Sequence, residues 1–304
     1  MSESDLMTTT PLTFLWLELT GKCTLNCVHC YADSSPAGGH GSMTTDDWKR
    51  VIDEASDLGV QTVQFIGGEP TLHPDLPELI NHALFRALGV EVFTNLVHVT
   101  PQLWDTFAQP GVSLATSYYS DDPGQHAAIT GRPSYPRTKA NIVEAVRRGI
   151  PLRAGVVDLG DGQRAQQATD ELTALGVEKV GYDRLRQIGR GVRDAQPGAT
   201  QLCGRCADGA AAVSPDGAVW PCVFSQWMPI GDVRNQPLRE IMSSLPAART
   251  TLVKQGMVVR ESDPCIPEGG CWPRWLTRAR PVEVADPCIP KGGECWPYNC
   301  TPHR

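Results

Sequence analysis

The sequence of 304 residues contains no run of 18 apolar residues, so no segment is long enough to cross a bilayer as a helix. Its opening residues, Met1 to Thr10, lack the basic start and apolar stretch of a secretory signal. A cytoplasmic chain with no membrane partner is therefore expected. Excess positive charge is missing as well: 34 acidic residues against 27 Lys and Arg give a formal net charge of -7. A surface that is acidic overall does not attract phosphate backbones, so no nucleic-acid partner is expected. An even number of cysteines is also absent. Eleven cannot all pair, and in a reducing compartment clustered cysteines are more often metal ligands than disulfides.

Hydrophobic residues make up 41% of the chain and charged residues 20%, the balance of a globular protein with a real core. The length suits one large domain and a small one. Between residues 13 and 190 short apolar runs alternate with helical patterns. Strands are read over Thr13–Thr20, Gln61–Ile66, Val90–Thr94, Val112–Tyr118, Leu152–Val157 and Lys179–Asp183. The clearest helix begins near Thr44 or Thr45, either of which can cap it. Its Trp48, Val51, Ile52, Ala55 and Leu58 recur at three- and four-residue steps. A second helix is expected over Pro77–Leu88, stopped by Gly89. Strands alternating with helices imply parallel βαβ units. Six of them form an open, partial barrel, with sites at the C-terminal ends of the strands.

From about Gly191 the texture changes: glycine, proline and cysteine rise and long helical patterns vanish. The expected organisation is a tail over 1–12, a barrel over 13–191 and a Cys-rich region over 192–304, with 192–200 as linker. Ala210–Val213 and Ala218–Val223 flank Pro215-Asp216-Gly217, a hairpin turn. Further on, Asp263-Pro264-Cys265-Ile266-Pro267 is repeated as Asp286-Pro287-Cys288-Ile289-Pro290, each copy running on through a glycine pair to a Cys-Trp-Pro. Little regular structure is expected after Met257, where metal ligation is a source of order.

Cys23, Cys27 and Cys30 directly follow the first strand. Three thiolates in one short loop can hold three corners of a 4Fe-4S cluster and leave the fourth iron open. The alternative is a zinc knuckle completed by His29. Ile66-Gly67-Gly68-Glu69-Pro70 ends the second strand on the same face of the barrel. Glycines let a ligand approach the backbone, and a carboxylate with free carbonyls suits an ammonium group.

Together these features resemble the radical S-adenosylmethionine (radical SAM) superfamily over roughly residues 13–190. Thr94-Asn95 after the third strand and Ser117 at the end of the fourth add to the resemblance. It implies an α/β fold, a partial (β/α)6 TIM-like barrel. It also implies reductive cleavage of S-adenosylmethionine to a 5′-deoxyadenosyl radical that removes a hydrogen atom from substrate. Carried over residue by residue, Cys23, Cys27 and Cys30 ligate iron, and Gly67, Gly68, Glu69 and Pro70 contact the methionine amine. Tyr31 packs near adenine, Asn95 lies in the cofactor site, Ser117 touches ribose or carboxylate, and Arg153 pairs with the carboxylate. The departure is His29, where many members carry an aromatic residue. Asp183, Arg184, Arg186 and Gly189-Arg190-Gly191 resemble the family's sixth-strand region, or else form a solvated basic loop.

Eight cysteines remain: Cys203, Cys206, Cys222, Cys265, Cys271, Cys288, Cys295 and Cys300. The stretch from Cys203 or Cys206 through Gly217 to Cys222 resembles the opening of the SPASM/twitch domains that follow radical SAM barrels. The resemblance implies a small Cys-rich C-terminal domain with one or two auxiliary 4Fe-4S clusters. Structural zinc is the alternative, and for the repeat a disulfide inside each copy. Such enzymes commonly mature peptides, so the expected substrate is a ribosomal peptide precursor, cross-linked by a thioether or carbon–carbon bond. An electron donor such as flavodoxin or ferredoxin is implied. No separate leader-binding domain fits before residue 13. Two other classes stay open: a radical SAM dehydrogenase or epimerase acting on a small metabolite, and a non-enzymatic zinc-binding regulator.

Overall fold

The computed structural model describes residues 10–160 and 162–259. The repeat and Cys265, Cys271, Cys288, Cys295 and Cys300 lie outside the described residues. Strand β1 (Phe14–Thr20) is buried along its whole length. Its alternation sets up two layers, because successive side chains point to opposite faces. Leu15, Leu17 and Leu19 join the core beneath the helices, while Phe14 and Trp16 join a second cluster inside the barrel. The polar Glu18 follows them on the inner side of the alternation and is also buried.

Five strands continue the pattern: β2 (Thr62–Gly67), β3 (Gly89–Phe93), β4 (Val112–Tyr118), β5 (Leu152–Asp158) and β6 (Lys179–Arg184). Each pairs in parallel with the next, and helices lie between them. These are the six expected strands, with ends moved by a residue. At the end of β1 the register with β2 shifts between Glu18 and Thr20. Such an irregularity bends the strand as the chain enters the cysteine loop.

Helix α1 (Thr45–Asp57) begins as the sequence indicates. Thr44 Oγ1 accepts from Asp47 N at 3.2 Å, and Asp47 Oδ2 accepts from Thr44 N at 3.0 Å, a reciprocal cap. Helix α2 (Leu76–Phe85) differs from expectation. It stops short of Gly89, which already belongs to β3. The left-handed residue is Ala87, at φ 58°. Leu88 N donates to Ala83 O and Ala87 N to Leu84 O, at 3.0 and 2.9 Å, the pattern of a Schellman end. Burial of Leu88 in the core sets the stop, not the glycine. Four further helices complete the barrel: α3 (Pro101–Phe107), α4 (Pro123–Thr130), α5 (Tyr135–Arg147) and α6 (Ala165–Ala174).

The Cys-rich part does not begin as a separate body. Strand β7 (Ala210–Val213) pairs in parallel with β1, Phe14 opposite Ala210 through Leu17 opposite Val213. Strands β8 (Ala218–Trp220) and β9 (Gly231–Asp232) follow antiparallel. The described sheet therefore has nine strands in the order β6-β5-β4-β3-β2-β1-β7-β8-β9 and crosses the boundary drawn at 191/192. The expected hairpin is present, but β8 ends at Trp220, three residues short of Val223. Helices α7 (Leu238–Met242) and α8 (Leu245–Lys254) end the described chain.

Candidate functional site

The C-terminal ends of the strands open onto a cavity of about 250 Å³. Cys23, Cys27 and Cys30 line it, and so do Cys203, Cys206 and Cys222. All six described cysteines are free thiols, and the fold gathers them, from regions far apart in sequence, around one space.

The loop carrying the first three is tied down on several sides. Asn26 N and Val28 N donate to Thr130 O and Ile129 O, both at 3.0 Å, so the end of α4 fixes its middle. Donors point at its sulfurs: Leu25 N to Cys23 Sγ and Ser34 N to Cys30 Sγ at 3.4 Å, and Asn95 Nδ2 to Cys23 Sγ at 3.7 Å. Tyr119 reaches Cys27 by its side chain. Burial, then the charge of Glu69, pushes the Cys23 thiol up to about 12. Burial, then the nearby Cys23 and Cys30, pushes Cys27 up to about 12. As free thiols Cys23 and Cys27 stay protonated at neutral pH, whereas a bound metal cluster ionises them outright. Donors aimed at sulfur are what thiolates bound to iron accept. The residues fit such a cluster.

They fit a zinc knuckle less well. His29 packs edge-to-face on Tyr119, ring centroids 4.9 Å apart. Burial lowers its pKa to about 4, so it is a neutral ring, in the place where an aromatic residue was expected.

The Gly-Gly-Glu-Pro segment meets the cavity through its two glycines, Gly67 and Gly68. Their lack of side chains, however, admits protein backbone: a Cβ would lie 2.4 Å from Thr20 O at Gly67 and 2.3 Å from Lys22 O at Gly68. The ends of β1 and β2 can touch only because of them. The Glu69 carboxylate is buried and bound to protein. It accepts from Thr94 Oγ1 and Thr71 Oγ1 at 2.7 Å, Thr71 N at 3.1 Å and Asn95 N at 2.8 Å. Pro70 is buried at the head of a short 3-10 turn.

Asn95 and Ser117 lie in the cavity wall. Asn95 Nδ2 also donates to Thr24 Oγ1 at 3.0 Å, and Tyr119 shares the cavity wall with Ser117. Arg153 lines the cavity too, but its fork is committed to Glu91, Nε to Oε2 at 2.7 Å and Nη2 to Oε1 at 2.6 Å. Gln64 Nε2 donates to the same carboxylate. The Tyr31 hydroxyl donates to Glu18 Oε1 at 3.0 Å, and its ring meets Phe224 at 5.0 Å. Tyr31 lines the cavity together with Cys30 and Cys222.

Within the second group, Cys206 Sγ and Cys222 Sγ are 2.9 Å apart. Hydrogen bonds to Cys203, then Cys222, push the Cys206 thiol well up. Sequence reasoning missed Glu18, Gln64, Glu91 and Tyr119. The signal was available for three of them: Glu18, Gln64 and Glu91 are polar residues inside otherwise apolar strands.

Known protein families resemble both parts of this chain. The family model for the radical SAM superfamily matches residues 17–170, and one for an iron-sulfur cluster-binding domain (SPASM) matches residues 186–271. A PqqA peptide cyclase of Streptomyces rochei is 30% identical over 195 residues, 61% of this chain and 52% of that protein. An AdoMet-dependent heme synthase of Methanosarcina barkeri is 35% identical over 149 residues, 48% of this chain and 42% of that protein. The chain thus spans about half the length of the curated relatives it matches. Among solved structures, Streptococcus suis SuiB bound to its precursor peptide SuiA superposes with a TM-score of 0.67. The two are 14% identical, over 79% of this chain and 66% of that one, a likeness of fold.

Proposed function

Because this chain belongs to the radical SAM superfamily, we propose that it matures a ribosomally made peptide by removing a hydrogen atom from it and closing a thioether or carbon–carbon cross-link. When bound, S-adenosylmethionine and the 4Fe-4S cluster supply one-electron chemistry that makes a hydrogen-abstracting species. The protein's own part is positioning. Cys23, Cys27 and Cys30 hold the cluster, with Asn95 and Tyr119 steadying their loop. Cys203, Cys206 and Cys222 hold an auxiliary cluster facing the same space. Trp16, Phe93 and Phe224 give that space an apolar wall that excludes water.

The observation that carries this reading is the shared cavity. Cys203, Cys206 and Cys222 would hold an auxiliary cluster on the same cavity, where that group would supply an electron acceptor. The wall also suits a peptide side chain better than a charged metabolite: Arg153, Arg186 and Arg205 already face Glu91, Asp183 and Asp208. PqqA peptide cyclase and the SuiB–SuiA complex support a peptide by their names. Flavodoxin or ferredoxin is the proposed electron source, and the cytoplasm the proposed compartment.

Anaerobic reconstitution with a co-expressed candidate peptide tests the proposal. Mass spectrometry is expected to show a peptide short of two hydrogens. Cys23→Ala, Cys27→Ala and Cys30→Ala should each abolish 5′-deoxyadenosine formation, while iron held elsewhere remains. Retained cleavage in all three variants would discard the ligand assignment.

A further inference from the structure

We propose that Arg190, on the turn after β6, is a positioning residue that clamps the cysteine loop in its cluster-binding form and biases the cluster held there toward its reduced state. The clamp is made of four bonds. Arg190 Nε donates to Cys27 O at 2.9 Å and Nη2 to Ser34 O at 2.7 Å. Nη1 pairs with Asp33 Oδ1 at 2.6 Å, and the backbone N donates to Cys30 O at 3.0 Å. The loop from Cys27 to Ser34 is thus wrapped around one side chain from the far end of the barrel.

A flanking glycine makes the approach possible. A Cβ at Gly189 would lie 2.4 Å from Tyr31 O and 2.5 Å from Cys30 O, and that residue stands at φ 58°. At Gly191 a Cβ would lie 2.7 Å from Arg186 O and 3.3 Å from His29 O, so that glycine serves its own turn more than the approach. On the loop side, Asp33 sits in the left-handed region at φ 51°, which aspartate tolerates better than most residues. Asp33 holds that conformation where the guanidinium meets it.

Two physical effects follow. The planar fork spans three acceptors at once, which an ammonium cannot do. Its fixed charge lies beside a loop whose cluster gains one negative charge on accepting an electron, so the reduced form is favoured. The electron comes from the flavodoxin- or ferredoxin-type donor, and the step considered is the reduction of the cluster alone. No bond in the protein is made or broken.

The inference rests on the reading that Cys23, Cys27 and Cys30 hold the cluster. The reconstituted full-length protein is compared as wild type, Arg190→Gln, Arg190→Lys and Cys27→Ala. Two quantities are followed: iron release to a chelator, and the midpoint potential of the EPR signal that changes when S-adenosylmethionine is added. Arg190→Gln should release iron roughly tenfold faster, the effect of losing charge-assisted hydrogen bonds. Its potential should fall by about 59 mV, a tenfold loss of preference for the reduced state. Arg190→Lys should keep most of the potential but still release iron faster. Wild-type release and potential in Arg190→Gln overturn the proposal. If that variant does not fold, unchanged release in Arg190→Lys overturns it alone. Loss of the responsive signal in Cys27→Ala supports the ligand reading. A wild-type signal that ignores S-adenosylmethionine removes that reading and the clamp with it.

Discussion

Glu69 shows how a motif residue can organise the protein around it. Its carboxylate gathers four donors from three residues, and one of them, the backbone of Asn95, belongs to the side chain that reaches Cys23. Glu69→Ala leaves those buried donors unmatched and should cost about 3 kcal/mol. A denaturation midpoint that falls with unchanged slope would register this. Glu69→Gln should fall between, since one oxygen becomes a donor facing a donor. A neutral effect of both would show that the acceptor is dispensable. At this scale the grouping of Cys23, Cys27 and Cys30 on one cavity was legible because their spacing is local in sequence. The roles of Glu91 and Glu18 were not, because each depends on which distant strand or loop faces it: Arg153 for one, Tyr31 and Gln226 for the other. The inward position of a carboxylate in Gly89–Phe93 was visible, but its partner was not.

Among elements, α1 and α2 separate what local chemistry decides from what packing decides. The start of α1 was readable because Thr44 and Asp47 make a cap from neighbours in sequence. The end of α2 was misread because Gly89 is the better local stop, while Leu88 is drawn into the core and Ala87 takes the left-handed turn in front of it. An alanine there is strained, by about 1 to 2 kcal/mol in intrinsic terms. Glycine relieves the strain but has more freedom to lose on folding. Ala87→Gly should therefore raise stability by about 0.5 to 1 kcal/mol, seen as a higher melting temperature. A lower melting temperature would mean that the alanine methyl contributes packing worth more than the strain. The strands were legible to within a residue or so from apolar runs alone. The return of β7 to β1 was not, because a four-residue run of Ala and Val says nothing about its partner.

That β1–β7 pairing joins the two halves of the molecule into one sheet, and Glu18 sits in the seam. It accepts from Tyr31 in the cysteine loop at 3.0 Å and from Gln226 in the Cys-rich part at 3.4 Å. Burial lifts its carboxyl from the ordinary 4.5 to about 8, the two hydrogen bonds pulling the other way. The folded chain then holds a proton that the unfolded chain gives up. Its contribution is whole below about 4.5 and fades as pH rises through about 8, by at most about 1.4 kcal/mol per pH unit. In urea titrations of the metal-free chain across this window, Glu18→Gln should flatten the decline seen in wild type. An identical slope in both would assign the dependence to other groups. The described sheet also has two ends, β6 and β9, with no described strand joining them. A ring has to be entered through its mouth, so a polymer must offer it a loose end or a tight bend. An arc can be entered from the side. For the peptide substrate proposed above, this predicts modification in mid-chain, with both of the peptide's ends still fastened elsewhere.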